Sequence, residues 1–158
     1  MTKIFAHRGA SAYAPENTME AFELAAKQGA DGIELDVHVT KDGEVVVTHD
    51  EKIDRVSNGS GFIKDMTLRE LKRLSFHNHM ESYVGVGIPT LREVLEYVST
   101  TNMDVNIELK TGIYWYPQIE EKTAFIVQET GMHDRVIYSS FNHHSIAKIK
   151  EIDSTAET

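Results

Sequence analysis

Residues 32–50, GIELDVHVTKDGEVVVTHD, begin with a strict alternation of polar and apolar side chains. Glu34, Asp36 and His38 therefore lie on one face of a predicted extended strand, whereas the residues between them form an apolar face. At this point the acidic face has two interpretations: it is either the solvated side of a strand or part of a site.

A turn in the middle of the same residues predicts a two-stranded ribbon. Asp42-Gly43 is a strong hairpin signal, because both residues tolerate the backbone angles of a tight turn. Counting back from this turn brings Asp36 close to Thr48 and His49 on the returning strand. The ribbon is therefore expected to gather carboxylates and an imidazole at one end.

The length and composition limit the classes of protein to which the chain can belong. Its 158 residues suit one domain with a substantial core. The formal net charge of −9 disfavours nucleic acid or an anionic membrane as the main partner, so an anionic substrate would need a local cation. With no cysteine, thiolate chemistry is excluded, and any metal ligand must be oxygen or imidazole. No signal peptide or transmembrane span is recognisable, which favours a cytoplasmic location without membrane insertion.

Predicted strands and helices alternate along the chain. Strands are expected at Lys3–Ala6, in the ribbon of residues 32–50, at Met103–Lys110 and at Arg135–Ser140. Helices are expected to begin with capping residues or a proline: Asn17, Thr67, Thr90, Pro117 and Asn142. This order predicts an α/β fold with a largely parallel sheet covered by helices, in which residues 51–87 are the least regular part.

Three acidic side chains occupy predicted strands where a covered parallel sheet is normally apolar: Glu34, Asp36 and Glu108. Burying a carboxylate without a partner costs several kcal/mol, so acids inside such a sheet would indicate a site. Their hard oxygens suit Mg²⁺ or Ca²⁺. The alternative is an ion-pair network with Arg8 and Lys110, and the residues alone leave both interpretations open.

Several short motifs follow one another in a recognisable order. Five of them are Ala6-His7-Arg8-Gly9, Pro15-Glu16-Asn17-Thr18, Glu34-Leu35-Asp36-Val37, Thr48-His49-Asp50 and Asn106-Ile107-Glu108-Leu109-Lys110. Two more are Pro89-Thr90-Leu91 and Ser139-Ser140-Phe141. In order and spacing, the chain resembles the glycerophosphodiester phosphodiesterases over most of its length. One such motif would be weak, but a set of five in matching order makes the resemblance specific.

The resemblance implies a TIM-type (β/α) barrel with its site at the carboxyl ends of the strands. It also implies one domain over residues 1–158, with an inserted segment at 51–87. A complete barrel needs about 250 residues, whereas this chain offers about five strands, so the barrel is expected to be incomplete. Either the protein continues beyond Thr158, or the chain self-associates through open sheet edges at which Ile137 or Tyr138 would be exposed.

The resemblance further implies a role for each site residue. Glu34, Asp36 and Glu108 match the ligands of a divalent metal ion, Ca²⁺ or Mg²⁺. His7 and His49 match the acid–base pair. The other matches are positions that bind the phosphate or the rest of the substrate: Arg8, Lys110, Glu16 and Phe141.

The implied reaction is hydrolysis of a small glycerophosphodiester to glycerol 3-phosphate and an alcohol such as choline or ethanolamine. This reaction would belong to glycerol and lipid metabolism. The resemblance suggests that the substrate's own glycerol hydroxyl attacks phosphorus first, which gives a cyclic phosphate. Two other interpretations stay open: a truncated or regulatory metal-binding module without turnover, and a sugar-phosphate-binding barrel. The second explains the two histidines less well.

Two further features lie near the implied site. His38 stands further out on the acidic face, and the sequence favours a role outside the site. Tyr114-Trp115-Tyr116 follows Lys110 closely and is interpreted as packing between a helix and a loop. An aromatic wall for a choline-like headgroup is the alternative for these three residues.

Overall fold

The computed structural model describes residues 2–158 as five strands, five α-helices and three short 3-10 turns. The strands are β1 (Phe5–His7), β2 (Gly32–Val39), β3 (Val45–Val47), β4 (Asp104–Leu109) and β5 (Val136–Ser139). The helices are α1 (Met19–Lys27), α2 (Leu68–Leu71), α3 (Leu91–Ser99), α4 (Ile119–Glu129) and α5 (His143–Ile152). The 3-10 turns are Ile63–Asp65, Glu81–Tyr83 and His133–Arg135.

The strands form one sheet in which β1, β2, β4 and β5 are parallel and follow one another in that spatial order. β3 runs antiparallel to the distal half of β2, on the edge that β1 occupies nearer its start. The predicted α/β fold with a largely parallel sheet is therefore confirmed. Within residues 2–158 the sheet is open and does not close on itself.

The ribbon of β2 and β3 has the register that the sequence predicts. At the turn, the Thr40 N–H donates to the Glu44 carbonyl at 2.9 Å. At the other end, the Thr48 N–H donates to the Asp36 carbonyl at 3.0 Å. His49 directly follows Thr48. The His49 imidazole is therefore placed near Asp36, at the carboxyl end of the parallel strands.

The two faces of the sheet differ in chemistry because successive side chains of a strand point to opposite sides. Leu35 and Val37 of β2 are fully buried in the main hydrophobic core, together with Phe22 of α1 and Leu91 of α3. The other face of β2 and β4 carries the acidic residues. A shift of one residue in register would bury those acids in the core, so apolar packing fixes where they point.

Two helix starts differ from the prediction. α1 is capped by Thr18, whose hydroxyl accepts the Ala21 N–H, whereas Asn17 has a left-handed backbone with φ 57°. α4 begins at Ile119 after a left-handed residue, so Pro117 precedes the helix instead of occupying its first position. The other predicted caps are confirmed: Thr67, Thr90 and Asn142. Of the helices in residues 2–158, none combines the length and apolarity that crossing a membrane requires.

The outer edge of β5 is more covered than the sequence predicts. Tyr138 is only 4% exposed because its side chain lies on the helix-covered face, within the main core, so its predicted exposure is wrong. Ile137, on the opposite face, is half-buried. The Tyr138 N–H donates to the Glu157 carbonyl at 2.8 Å, and Ile137 forms a parallel bridge with Glu157. The chain thus pairs part of this edge itself, and self-association stays a prediction.

Residues 51–87 pack around a second, smaller hydrophobic cluster. Ile53, Ile63 and Leu71 are fully buried in it, and the cluster reaches the sheet through Val46 of β3. Most of its members come from the segment itself, which therefore has an apolar core of its own. Its assignment as an inserted segment stays a prediction.

Candidate active site

Three carboxylates meet at the carboxyl ends of β2 and β4. Asp36 and Glu108 are paired neighbours in the sheet, and Glu34 lies two residues before Asp36 on the same face. One carboxylate oxygen from each residue lies within 4.8 Å of the others. The structure thus brings together all three residues that were predicted as metal ligands, and their function as ligands stays a prediction.

Burial and mutual repulsion disfavour the ionised forms of this cluster. Burial, followed by the charges of Asp36 and Glu108, raises the pKa of Glu34 to about 7 despite the hydrogen bond from the Arg8 N–H. Burial also raises the pKa of Asp36, against the opposing effect of a hydrogen bond from Asn17. A divalent cation would relieve this repulsion, and hard carboxylate oxygens are the donors that Mg²⁺ and Ca²⁺ prefer. The residues therefore fit such an ion.

Two cationic side chains border the carboxylates. Lys110 Nζ lies 3.0 Å from Glu108 Oε1 and 3.7 Å from Asp36 Oδ1. Arg8 Nε lies 3.5 Å from Asp36 Oδ2. No lysine or arginine side chain of residues 2–158 forms an ion pair with Glu34, which accepts a hydrogen bond only from the backbone N–H of Arg8 at 3.1 Å. An ion-pair network therefore exists, but it leaves part of the acidic charge uncompensated.

The two predicted acid–base histidines contact different residues of the cluster. His7 Nε2 lies 3.8 Å from Glu34 Oε2, and the His7 side chain is 70% exposed. His49 Nδ1 lies 2.6 Å from Asp50 Oδ1, and its Nε2 lies 3.4 Å from Lys110 Nζ. Because an ionised carboxylate only accepts, Nδ1 of His49 carries the proton, and Nε2 is left as an acceptor beside Lys110.

Asn17 is a site residue that sequence reasoning assigned to a helix cap. Its Nδ2 donates to Asp36 Oδ2 at 2.9 Å, and Asn17 is 3% exposed. The left-handed backbone at Asn17 is uncommon outside glycine, although asparagine tolerates it better than most residues. The sequence feature that could have indicated a site role for Asn17 is its place next to Glu16 in the motif Pro15-Glu16-Asn17-Thr18.

A charge network links the loop after β1 to the residues after β3. Glu16 Oε1 accepts from Arg8 at 3.1 Å and from Arg55 at 2.7 Å. Arg55 also donates to Asp50 Oδ2 at 2.8 Å. Hydrogen bonds from Arg55 and then from His49 lower the pKa of Asp50 to about 2, although burial opposes them. Neither Asp50 nor Arg55 was identified as a site residue from the sequence. The position of Asp50 directly after His49 could have indicated a role for it, whereas no sequence pattern indicates one for Arg55.

Phe141 lies in the loop after β5, at the edge of the site. Its side chain is 88% exposed and lines a cavity of about 210 Å³ together with Glu108, Ser139 and Ser140. The cavity adjoins a candidate metal ligand, so Phe141 is placed where it could contact a bound substrate. Its assignment as a substrate-binding residue stays a prediction.

His38 is buried beneath the site and supports His49. Its Nδ1 lies 2.8 Å from the Tyr116 hydroxyl, and its Nε2 lies 3.0 Å from the His49 carbonyl oxygen. Burial lowers the pKa of His38 to about 4, so the ring is neutral, donates to the carbonyl and accepts from the hydroxyl. Tyr116 is thus part of the packing, whereas Trp115 is 62% exposed and stacks on His144.

The turn that follows His7 requires a glycine at position 9. Gly9 has φ +79°, and a Cβ there would lie 2.7 Å from the backbone carbon of Ala21 in α1.

We expect Gly9→Ala to lower the free energy of unfolding by about 3 kcal/mol or more, because the clash adds to the left-handed strain. Denaturant titration measures the loss. Gly29→Ala is the matched control: Gly29 has the same φ but no atom within 4 Å of such a Cβ, so we expect a loss of only about 1–2 kcal/mol. Equal losses would contradict the role of close packing at Gly9.

Comparisons with known proteins place the chain in a family. The model of the glycerophosphoryl diester phosphodiesterase family matches residues 7–158. A glycerophosphodiester phosphodiesterase of Caldanaerobacter subterraneus subsp. tengcongensis is 51% identical over 152 residues, which are 96% of this chain and 63% of that protein. Another, from Bacillus altitudinis, is 53% identical over 149 residues, which are 93% of this chain and 61% of that protein.

Solved structures show the same relationship. The crystal structure of a glycerophosphodiester phosphodiesterase from Agrobacterium tumefaciens matches with a TM-score of 0.89 at 38% identity, over 98% of this chain and 64% of that one. An Oleispira antarctica phosphodiesterase was solved in complex with the product sn-glycerol-3-phosphate. It matches with a TM-score of 0.92 at 32% identity, over 99% of this chain and 64% of that one. These matches confirm the TIM-type barrel class, with an incomplete barrel in this chain. The chain spans less than two thirds of the length of these relatives. It belongs to the glycerophosphoryl diester phosphodiesterase family.

Proposed function

We propose that the intact protein hydrolyses glycerophosphodiesters to glycerol 3-phosphate and an alcohol, in a reaction that depends on a divalent metal ion. The observation that carries this proposal is the meeting of Glu34, Asp36 and Glu108 within 4.8 Å, bordered by two cationic side chains and two imidazoles. The named activity of the relatives supports it.

The charges of the site suit one phosphodiester anion. Three ionised carboxylates, a divalent cation, Arg8 and Lys110 sum to a charge of about +1, although the whole chain carries −9. Arg8 and Lys110 are therefore the groups that bind the phosphate oxygens. This local excess of positive charge explains how an acidic protein attracts an anionic substrate.

Glu34, Asp36 and Glu108 would hold Mg²⁺ or Ca²⁺. A bound divalent ion supplies a Lewis acid that stabilises the charge developing on the phosphoryl oxygens. The fixed charges of Arg8 and Lys110 act on the same oxygens, and their positions beside the carboxylates are set before the substrate arrives.

The two histidines move the protons of the reaction. Nε2 of His49 takes the proton from the attacking glycerol hydroxyl of the substrate, because Asp50 holds the proton of the same ring on Nδ1. His7 gives a proton to the oxygen of the departing alcohol. The cyclic phosphate formed in this way is then opened by water, and the same two rings act in the reverse direction.

The test is release of glycerol 3-phosphate from glycerophosphocholine by the intact protein, with Mg²⁺, with Ca²⁺ and with a chelator. We expect release with at least one metal and a loss of about 10³-fold or more on chelation, which addition of the metal reverses. Metal binding without release of glycerol 3-phosphate would support the non-catalytic module instead. Release that persists in chelator would remove the metal from the proposal.

A further inference from the structure

Arg55 makes four hydrogen bonds to two carboxylates from different parts of the chain. Its Nη1 and Nη2 donate to Glu16 Oε2 and Oε1 at 2.9 and 2.7 Å. Its Nε and Nη2 donate to Asp50 Oδ2 and Oδ1 at 2.8 and 3.2 Å. A planar guanidinium is the side chain that can satisfy two carboxylates in this way, whereas a lysine is a point charge.

Each of these two carboxylates also holds a residue of the candidate site. Asp50 Oδ1 lies 2.6 Å from Nδ1 of His49, the candidate base. Glu16 Oε1 lies 3.1 Å from a guanidinium nitrogen of Arg8, the candidate phosphate-binding residue. Arg55 is therefore linked to His49 through Asp50 and to Arg8 through Glu16.

The apolar contacts of the segment around Arg55 do not involve its guanidinium. Ile53 and Val56, its apolar neighbours in sequence, are 0% and 3% exposed within the second hydrophobic cluster. The Arg55 side chain is 43% exposed. Since apolar burial is the main source of stability, we expect the segment to keep its fold when the guanidinium is removed.

We propose that Arg55 is a positioning residue, which orients His49 through Asp50 and Arg8 through Glu16 and so sets the base and the phosphate-binding cation relative to each other. This inference rests on the proposed hydrolysis of glycerophosphodiesters. It gives the segment of residues 51–87 a part in the reaction through Arg55, which acts by way of its hydrogen bonds to Asp50 and Glu16.

The network has two arms, one from Arg55 through Asp50 to His49 and one from Arg55 through Glu16 to Arg8, and they should affect different kinetic constants. Loosening His49 affects proton transfer and therefore kcat, whereas loosening Arg8 weakens phosphate binding and therefore raises KM. We expect Arg55→Gln in the intact protein to lower kcat by about 10-fold to 10²-fold and to raise KM as well, since small displacements of catalytic groups have effects of this size. Arg55→Lys should recover only part of the loss.

Single variants of the two carboxylates separate the arms. Asp50→Asn should mainly lower kcat, and Glu16→Gln should mainly raise KM. Adding Arg55→Gln to the Asp50→Asn, Glu16→Gln double variant should change neither constant by more than about twofold, because Arg55 acts through those two residues. A further tenfold loss in that background would overturn the proposal.

Arg73 provides a matched control. It is an exposed arginine of the same segment, and its side chain makes no hydrogen bond within residues 2–158. Arg73→Gln removes the same charge and should leave kcat and KM unchanged. If Arg73→Gln matches the loss caused by Arg55→Gln, the effect is general electrostatics and the proposal fails.

NMR of the His49 ring nitrogens separates failure of this inference from failure of the proposed function. We expect the wild-type ring to be protonated at Nδ1 and the Arg55→Gln ring to lose that fixed tautomer. An unchanged ring with unchanged kinetics would overturn the positioning role while hydrolysis stands. If the wild-type protein releases no glycerol 3-phosphate, the proposed function fails, and the ring signals still decide whether Arg55 orients His49.

Discussion

Replacing Glu34, Asp36 or Glu108 by its amide in the intact protein is expected to abolish binding of Mg²⁺ or Ca²⁺ and, with it, the hydrolysis of glycerophosphodiesters. Each change keeps the side-chain volume but removes one of three acidic groups whose oxygens lie within 4.8 Å of one another. Because a metal ion contributes several kcal/mol to the transition state, turnover should fall by about 10³-fold or more. Calorimetric titration with each cation measures binding, and release of glycerol 3-phosphate measures turnover.

Although Glu34→Gln should abolish metal binding and turnover, it should stabilise the metal-free protein against unfolding. Burial and two neighbouring carboxylates raise the pKa of Glu34 from 4.5 to about 7, so the folded state holds this proton more tightly than the unfolded chain does. The group therefore destabilises the fold increasingly as the pH rises from 4.5 to about 7, to a total of about 3 kcal/mol. Glu34→Gln should raise the free energy of unfolding by up to about 3 kcal/mol at about pH 8, and by little at about pH 4.

Asp104 is the control for both measurements. It lies on β4, as Glu108 does, but at the amino end of the strand, where it contacts Lys3. Asp104→Asn should keep metal binding and turnover within about twofold, and it should not stabilise the metal-free protein. Metal binding that survives all three amide substitutions would contradict a metal site at this cluster. A Glu34→Gln protein less stable than wild type at about pH 8 would contradict the raised pKa of Glu34.

The central part of the fold and the acidic cluster could be predicted because they depend on local patterns. The two-residue alternation of β2 fixes which side chains face the core, and the Asp42-Gly43 turn fixes the ribbon register. Parallel pairing of β2 with β4 then brings these acids to the same edge of the sheet, and the register of that pairing, which only the structure shows, places Asp36 next to Glu108. Roles for these residues came from the resemblance to a family and not from the alternation.

The supporting residues of the site could not be predicted because their contacts depend on how distant segments fold together. Arg55 reaches Glu16 across 39 positions of sequence. Asn17 and Thr18 are both good capping residues, and the choice between them depends on Asp36, to which Asn17 donates. Such contacts leave no periodic signal in the sequence.

The exposure of Tyr138 was predicted wrongly for a different reason. An open sheet edge exposes backbone groups, but the side chains of its strand still alternate between the two faces. Tyr138 pairs with Ile107 of β4 and shares its helix-covered face, whereas Ile137 shares the face of Asn106. The register with β4, which the sequence of β5 alone does not contain, decides which of the two is buried.

Replacing His49 or His7 by alanine is expected to lower kcat by about 10²-fold or more in each case, with a smaller effect on KM, because each ring transfers a proton without supplying the main phosphate-binding charge. His49 is held at both nitrogens, by Asp50 and beside Lys110, as a base requires. His7 is 70% exposed beside Glu34, where a departing alcohol can reach it. Steady-state kinetics with glycerophosphocholine measures both losses.

A substrate with an acidic leaving group distinguishes the two roles. A nitrophenolate departs without needing a proton, so in the first turnover of glycerophospho-nitrophenol, measured as release of nitrophenolate, the His7→Ala loss should shrink to within about tenfold of wild type. The His49→Ala loss should persist, since the attacking hydroxyl still has to lose its proton. His143→Ala, an exposed histidine in the first turn of α5, is the control and should retain full activity on both substrates. Full activity of either site variant on glycerophosphocholine would remove that histidine from the mechanism, and a reversed leaving-group dependence would exchange the two roles.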